Sequence, residues 1–150
     1  MTSTEHSALC AELPVRGRLR PAMNQDTQFF WDAAAQGHLV AQQCTACGLL
    51  RHPPGPVCPA CHGFDWTPQR LSGNGTLYSY TVIRNPPAPG FDGPAIVVAV
   101  DLDEGVRLVS NIGDVDPADL QIGERLEVCF LTQDEGWTAP QFRRPAPRAD

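Results

Sequence analysis

Apolar positions along this 150-residue chain follow two different spacings, one near the start and one through the second half. Between residues 24 and 37 they recur at helical intervals. Phe29, Phe30, Ala33 and Ala34 repeat on one arc, and Trp31 and Ala35 widen it. Asn24 or Asp26 supplies an N-cap and Gly37 a C-terminal stop, so the spacing predicts a helix ending at about Gln36. A short strand, Leu39 to Gln43, follows. From Thr76 onward the pattern is β. Tyr78, Tyr80 and Val82 alternate onto one face of a strand running to Arg84, a face expected to fill a core. Ala95 to Leu102 is a buried strand turned by Asp103-Glu104-Gly105 into Val106 to Asn111. Glu124 to Leu131 and Trp137 to Arg143 pair across Asp134-Glu135-Gly136. Asp116-Pro117 opens one helical turn before them. Five strands with a helical turn after the third predict a Greek-key barrel of the OB type.

Composition places the joints. Fifteen prolines in the chain are about twice the usual ~5%, and they gather in loops. Pro53-Pro54-Gly55-Pro56 makes a stiff tip, and residues 85–94 make a proline-locked loop carrying Phe91. Residues 70–75 form a turn-rich joint. The predicted organisation is a flexible arm at 1–23, a helix with a metal hairpin at 24–70, a barrel at 71–143 and a tail at 144–150.

All eleven basic residues are arginine, against seventeen acids. Residues 1–70 balance five of each, whereas residues 71–150 carry twelve acids and six arginines. A protein that binds duplex DNA needs a positive face to release phosphate counterions, so this balance argues against DNA. With no lysine, Schiff-base chemistry is excluded. Met1 to Pro14 has no basic segment followed by an apolar run, and the apolar stretch Ala95 to Val100 is far below the ~18 residues of a membrane span. A cytoplasmic location with reduced thiols is the expectation.

Six cysteines then require a reason. Four stand as Cys44-Thr-Ala-Cys47 and Cys58-Pro-Ala-Cys61. Each CxxC turn aims two sulfurs at one point, and two such turns at the ends of a hairpin form a tetrathiolate cage. The donor set suits zinc, although iron also accepts four sulfurs. With every coordination position filled the metal is structural. Gly48 follows the first pair, while His62 stands at that place after the second, a departure from the pattern. His52 and His62 read as outer or surface histidines. Cys10 reads as a free thiol in the arm, and Cys129 as a small packed residue facing away from Leu126, Val128 and Phe130.

Taken in order, the aromatic helix, the Cys44–Cys61 ribbon, Gly75-Thr-Leu-Tyr-Ser-Tyr-Thr-Val82, Leu108-Val-Ser-Asn-Ile112 and Ile122-Gly-Glu-Arg-Leu-Glu-Val128 resemble domain-of-unknown-function family thirty-five. The resemblance covers about residues 24–143. It implies a mostly β fold, with an N-terminal helix and rubredoxin-like zinc ribbon followed by a five-stranded OB-type Greek-key barrel. It implies Zn²⁺ on Cys44, Cys47, Cys58 and Cys61, and a chain that is not an enzyme by itself. Its implied partner is a thiolase-like or lipid-transfer-protein-like enzyme, expected to be a steroid side-chain-cleaving (retro-aldol) aldolase ahead of a biosynthetic thiolase. An acyl-CoA hydratase is a further partner, and an acyl-CoA site shared with the partner a further implication. Phe29, Phe30, Trp31 and Phe91 are the candidate interface, no residue is assigned a catalytic role, and neither DNA nor a membrane is expected as a partner. Arg84, Arg107, Arg143, Arg144 and Arg148 are candidate cations for a CoA diphosphate. A single-stranded nucleic-acid OB fold is the competing class, with Tyr78 and Tyr80 as its stacking pair.

Overall fold

Neither Asn24 nor Asp26 is the N-cap of the helix, which is Thr27 with no side-chain cap bond; Asn24 instead closes the turn before it. Its side-chain oxygen accepts from the backbone N–H groups of Asp26 (2.9 Å) and Thr27 (3.1 Å), satisfying donors that would otherwise be orphaned. Helix α1 then spans Gln28–Ala35 and ends where Gly37 takes φ +76°. In this computed structural model, residue 10 and residues 17–113 and 115–146 are described. The strands are β1 (Val40–Cys44), β2 (Leu50–Arg51), β3 (Trp66–Arg70), β4 (Asn74–Ile83), β5 (Ala95–Leu102), β6 (Arg107–Ile112), β7 (Arg125–Thr132) and β8 (Thr138–Arg143). A 3₁₀ turn at Pro117–Asp119 is capped by the Asp116 carboxylate, which accepts from the Ala118 N–H at 2.9 Å.

Strands β2, β1 and β3 form one antiparallel sheet with β1 in the middle. Strand β3 runs on to Arg70 because every residue of β1, from Val40 to Cys44, finds a partner on it. The other five strands close a barrel in the order β4-β5-β6-β8-β7. Closure comes from β4 with β7 at Asn74, Gly75 and Thr76, and from one parallel bridge, Ile112 with Phe142. The expected OB-type barrel is therefore present. One continuous core holds it: Leu77, Val98, Val100, Leu126 and Phe142 from the barrel share a cluster with Phe30, Ala34 and Leu39. Helix and barrel are thus packed as one body.

Two further sequence expectations need correction. Tyr78 does not fill the core. It is the unpaired residue of a β-bulge between Leu77 and Ser79, and one inserted residue reverses the alternation. Leu77 takes the inward position, and Tyr78 is 52% exposed beneath the Arg107 guanidinium, 3.5 Å from its ring centre. Tyr80 packs partly against the core. The second correction concerns Cys10 and Cys129, which are neither a free thiol nor merely a small packed residue. They form a disulfide with Cα atoms 4.9 Å apart. The chain at residue 10 runs beside β7, its N–H donating to the Phe130 carbonyl at 3.1 Å, and Cys129 faces it from the side of β7 turned away from the core. Partners 119 positions apart leave no local signal.

The rest of the predicted arm, residues 1–9 and 11–16, lies outside the described residues, as do Asp114 and the last four positions of the tail. Among the described residues, no helix is long and apolar enough to cross a membrane.

Candidate metal centre and adjoining groove

The four cage cysteines come together as their spacing predicts. Their sulfurs all lie within 4.8 Å of one another, with Cys44 and Cys61 at 3.5 Å and Cys47 and Cys58 at 3.7 Å. A tetrahedral Zn²⁺ with Zn–S bonds of ~2.3 Å requires sulfurs about 3.8 Å apart, so the cage fits the ion. Two equivalent turns build it. The Gly48 N–H donates to the Cys44 carbonyl and the His62 N–H to the Cys58 carbonyl, both at 2.9 Å. The chain leaves each turn in the left-handed region, at Gly48 (φ +77°) and His62 (φ +63°). His62 therefore follows the glycine path despite its side chain, at a local cost of ~1–2 kcal/mol.

Cys44 and Cys58 are buried; Cys47 and Cys61 are exposed. The Cys47 N–H, with help from Ala46, lowers the Cys44 thiol to about 6, and the N–H groups of Cys61 and Ala60 lower Cys58. Cys61 behaves oppositely. The Gly63 N–H favours its thiolate, but the crowding sulfurs, Cys44 first, push it up to about 11. Four thiols this close cannot all ionise without a cation, and a divalent metal removes that obstacle. The chemistry supplied by the metal is structural crosslinking. Neither nearby histidine is a ligand: His52 packs its ring 5.3 Å from that of Phe30, where burial lowers its pKa, and His62 is exposed.

A buried pair missed by the sequence reading stiffens the hairpin. Arg51 donates from Nε to the Gln42 side-chain oxygen (2.8 Å) and from Nη2 to the Gly55 carbonyl (3.3 Å). The Gly55 N–H donates to the same Gln42 oxygen at 2.9 Å. The proline tip is thereby pinned to β1 and β2. Only the register, which sets Gln42 opposite Arg51, reveals the pair.

The three consecutive aromatics of α1 splay onto different elements. Phe29 packs on Trp66 of β3 at 4.5 Å, Phe30 enters the core, and Trp31 meets Trp137 edge-on at 5.8 Å beside β8. The helix thus brackets ribbon to barrel. Along this bracket run two adjoining hollows of about 210 and 400 Å³, both lined by Trp31, Val109, Ser110 and Pro140. Phe30, His52 and Pro54 border the first, and Phe91, Trp137 and Arg18 the second. Three of the four candidate interface aromatics therefore line one groove. Phe29 lies outside it.

The candidate CoA cations are dispersed. Arg107 pairs with Asp101 (2.6 Å), Arg143 with Glu127 (2.8 Å) and Arg144 with Glu124 (2.8 Å); Arg84 is exposed at the end of β4. Arg125, not among those candidates, pairs with Asp103 at 2.7 Å. Arg148 lies outside the described residues.

A tetrathiolate ribbon joined to a five-stranded OB barrel defines a zinc-ribbon and OB-fold module. Comparison with known proteins gives the family. Residues 31–67 match the model of the ChsH2 rubredoxin-like zinc ribbon domain, and residues 68–131 that of the ChsH2 C-terminal OB-fold domain. The chain is 44% identical over 133 residues to a probable enoyl-CoA hydratase alpha subunit of Thermomonospora curvata, covering 89% of this chain and 42% of the relative. It is 33% identical over 125 residues to the 3-oxo-4,17-pregnadiene-20-carboxyl-CoA hydratase alpha subunit of Mycobacterium tuberculosis, covering 83% and 40%. It thus spans about two fifths of the length of these curated relatives. Among solved structures, a chain of the Ltp2-ChsH2(DUF35) aldolase superposes with TM-score 0.79 at 46% identity, covering 83% of this chain and 98% of that one. The chain belongs to the DUF35 family, with ribbon and barrel of the ChsH2 kind.

Proposed function

We propose that this chain is a non-catalytic, zinc-containing accessory subunit of a thiolase-superfamily acyl-CoA enzyme, and that the enzyme is an aldolase that shortens steroid side chains as CoA thioesters. The observation carrying this reading is the 46% identity to a chain of an aldolase complex, across 98% of that chain. The cysteines agree with a scaffold role: four are held in the cage and two in the disulfide, so none is left as a nucleophile. The groove lined by the half-buried Trp31 and Phe91 and the exposed Val109, over the buried Trp137, is the docking surface we assign to the enzyme, since apolar, aromatic surface with little charge is what interface centres are made of. Arg107, Arg143 and Arg144 are held by barrel carboxylates, which favours CoA contacts made mainly by the enzyme.

Co-expression with a thiolase-like aldolase of the Ltp2 kind tests the reading. The expected result is a stable complex on gel filtration and retro-aldol cleavage lost when this chain is omitted. An aldolase that stays soluble, alone and fully active in its absence would overturn it. A second reading, companionship with an acyl-CoA hydratase, is favoured by the names of the two curated relatives. Hydratase capture in place of aldolase capture in the same experiment would select it.

A further inference from the structure

We propose that the seam between β6 and β8 receives an extended segment of the partner enzyme, whose backbone pairs with the free edge of β6 and whose acidic side chain meets Arg18. This rests on the reading of the chain as an accessory subunit and says how the groove is filled.

Among the described residues, Ile112 with Phe142 is the only pair that joins β6 to β8. The alternation of an antiparallel ladder shows what this leaves over. The Leu102 N–H donates to the Val106 carbonyl at 2.9 Å, and the β5–β6 register then runs without a shift from Asp101 with Arg107 to Ile96 with Ile112. Val106, Leu108, Ser110 and Ile112 therefore direct their backbone groups to β5, whereas Arg107 and Val109 turn theirs toward the seam. Strand β8 cannot take them up. Pro140, two positions before Phe142, is the residue that faces β6 there. It has no N–H, and its carbonyl already accepts from the Ser110 hydroxyl at 2.6 Å. Val109 itself is 62% exposed. The edge of the ribbon sheet is treated differently. Strand β3 carries Pro68 opposite Gln42, and the Leu71 N–H on the Leu39 carbonyl sets the alternation that turns Pro68 outward. A proline removes the donor from that edge and guards it against pairing. At the corresponding outward place β6 has a valine.

The surroundings of this edge describe its occupant. It is extended, because the edge offers backbone donors and acceptors at strand spacing. It is apolar where it enters the hollows of about 210 and 400 Å³ that meet at Val109, since Trp31 and Pro140 wall both and Phe91 the second. It also carries an acid, because Arg18 in the second hollow has no carboxylate among the described residues. Its Nη2 donates to the Gln141 side-chain oxygen at 2.7 Å and its guanidinium lies 4.5 Å from the centre of the Phe91 ring. Arg107, Arg125, Arg143 and Arg144 each hold an acid instead. Burial lowers the Arg18 pKa, and an incoming carboxylate offsets that desolvation.

Hydrogen exchange read at single residues tests this on the zinc-loaded full chain, alone and in complex with the thiolase-like aldolase. The Val109 amide should exchange freely in the chain alone and at least ~100-fold more slowly in the complex, while the Val100 amide, bonded within the β5–β6 ladder, is slow in both. Val109→Pro removes an N–H that β5 does not use, so the variant should melt close to the parent. It should bind the aldolase at least ~10-fold more weakly than Val109→Ala, which keeps the N–H. Arg18→Gln should bind about 10-fold more weakly than the parent, with a smaller dependence on salt. A complex in which the Val109 amide still exchanges freely overturns the edge pairing and leaves the accessory role standing. If no complex forms, both fall. Protection of Val109 in the chain alone, with a doubled mass, would give the edge to a second copy and overturn the proposal too. Should Val109→Pro fail to fold, exchange in the unaltered complex decides by itself.

Discussion

Cage cysteines with equal chemistry should not contribute equally, because two are buried and two are exposed. Cys58 is 0% exposed, and within residues 44–65 the buried residues are Cys44, Arg51 and Cys58 alone. The hairpin therefore has almost no apolar core, and the metal supplies its cohesion. Structural zinc contributes roughly 10–16 kcal/mol in small zinc peptides near pH 7, or roughly 3 kcal/mol for each of four ligands. Cys61→Ala should weaken zinc binding about 100-fold, since each 1.4 kcal/mol is a factor of ten, and water can occupy the vacated exposed position. Cys58→Ala admits no such replacement and strands thiolate charge in a closed site. Its loss should exceed that of Cys61→Ala by a further factor of about ten or more. Competition with a chromophoric chelator measures the affinities, and hydrogen exchange locates the consequence. Amides of Gly48, Cys58 and His62 should lose protection in Cys58→Ala while those of Val98 and Val100 keep it. Equal affinities for the two variants, or simultaneous loss of protection in the barrel, would refute the reasoning.

Phe30→Ala should cost about 3–4 kcal/mol, because Phe30 is 7% exposed and joins helix to barrel within one core; the urea midpoint should fall with the m-value unchanged. His62→Gly should stabilise the metal hairpin by about 0.5–1 kcal/mol, the relief of a left-handed side chain less the extra freedom of glycine in the unfolded chain, read as slower zinc release to a chelator. Acid should weaken the barrel in a defined direction. Arg107, Arg125 and Arg144 hold the carboxyls of Asp101, Asp103 and Glu124 below their ordinary values, so their contribution is complete above that range and is lost as pH falls through the lowered folded-state values. In the melting temperature, these three pairs should contribute fully from about pH 7 to 5 and lose their contribution below about pH 4, while His52, whose pKa burial lowers, costs stability earlier, as pH falls below about 6.5. Added salt should diminish the effect, since all three pairs are at the surface.

The sequence by itself determined the cage, the barrel and the boundaries of most elements, because each depends on local spacing. CxxC turns place their own sulfurs, and the Ala95–Leu102 strand needs nothing beyond its apolar run. The resemblance to family thirty-five rested on those same segments, and the family comparisons agree with it. What only the tertiary structure decided involves partners far apart in the chain. A single bulge at Tyr78 reversed the alternation read from its neighbours. Gln42 and Arg51 acquired a role once β1 and β2 were in register. The aromatic arc of α1 was divided among ribbon, core and groove only when all three surrounded it. Cys10 and Cys129 carried no signal of one another across 119 residues. Periodicity records which residues face inward, but it holds no information about which distant segment they will meet, and the arm, the bracket and the groove all depend on that second fact.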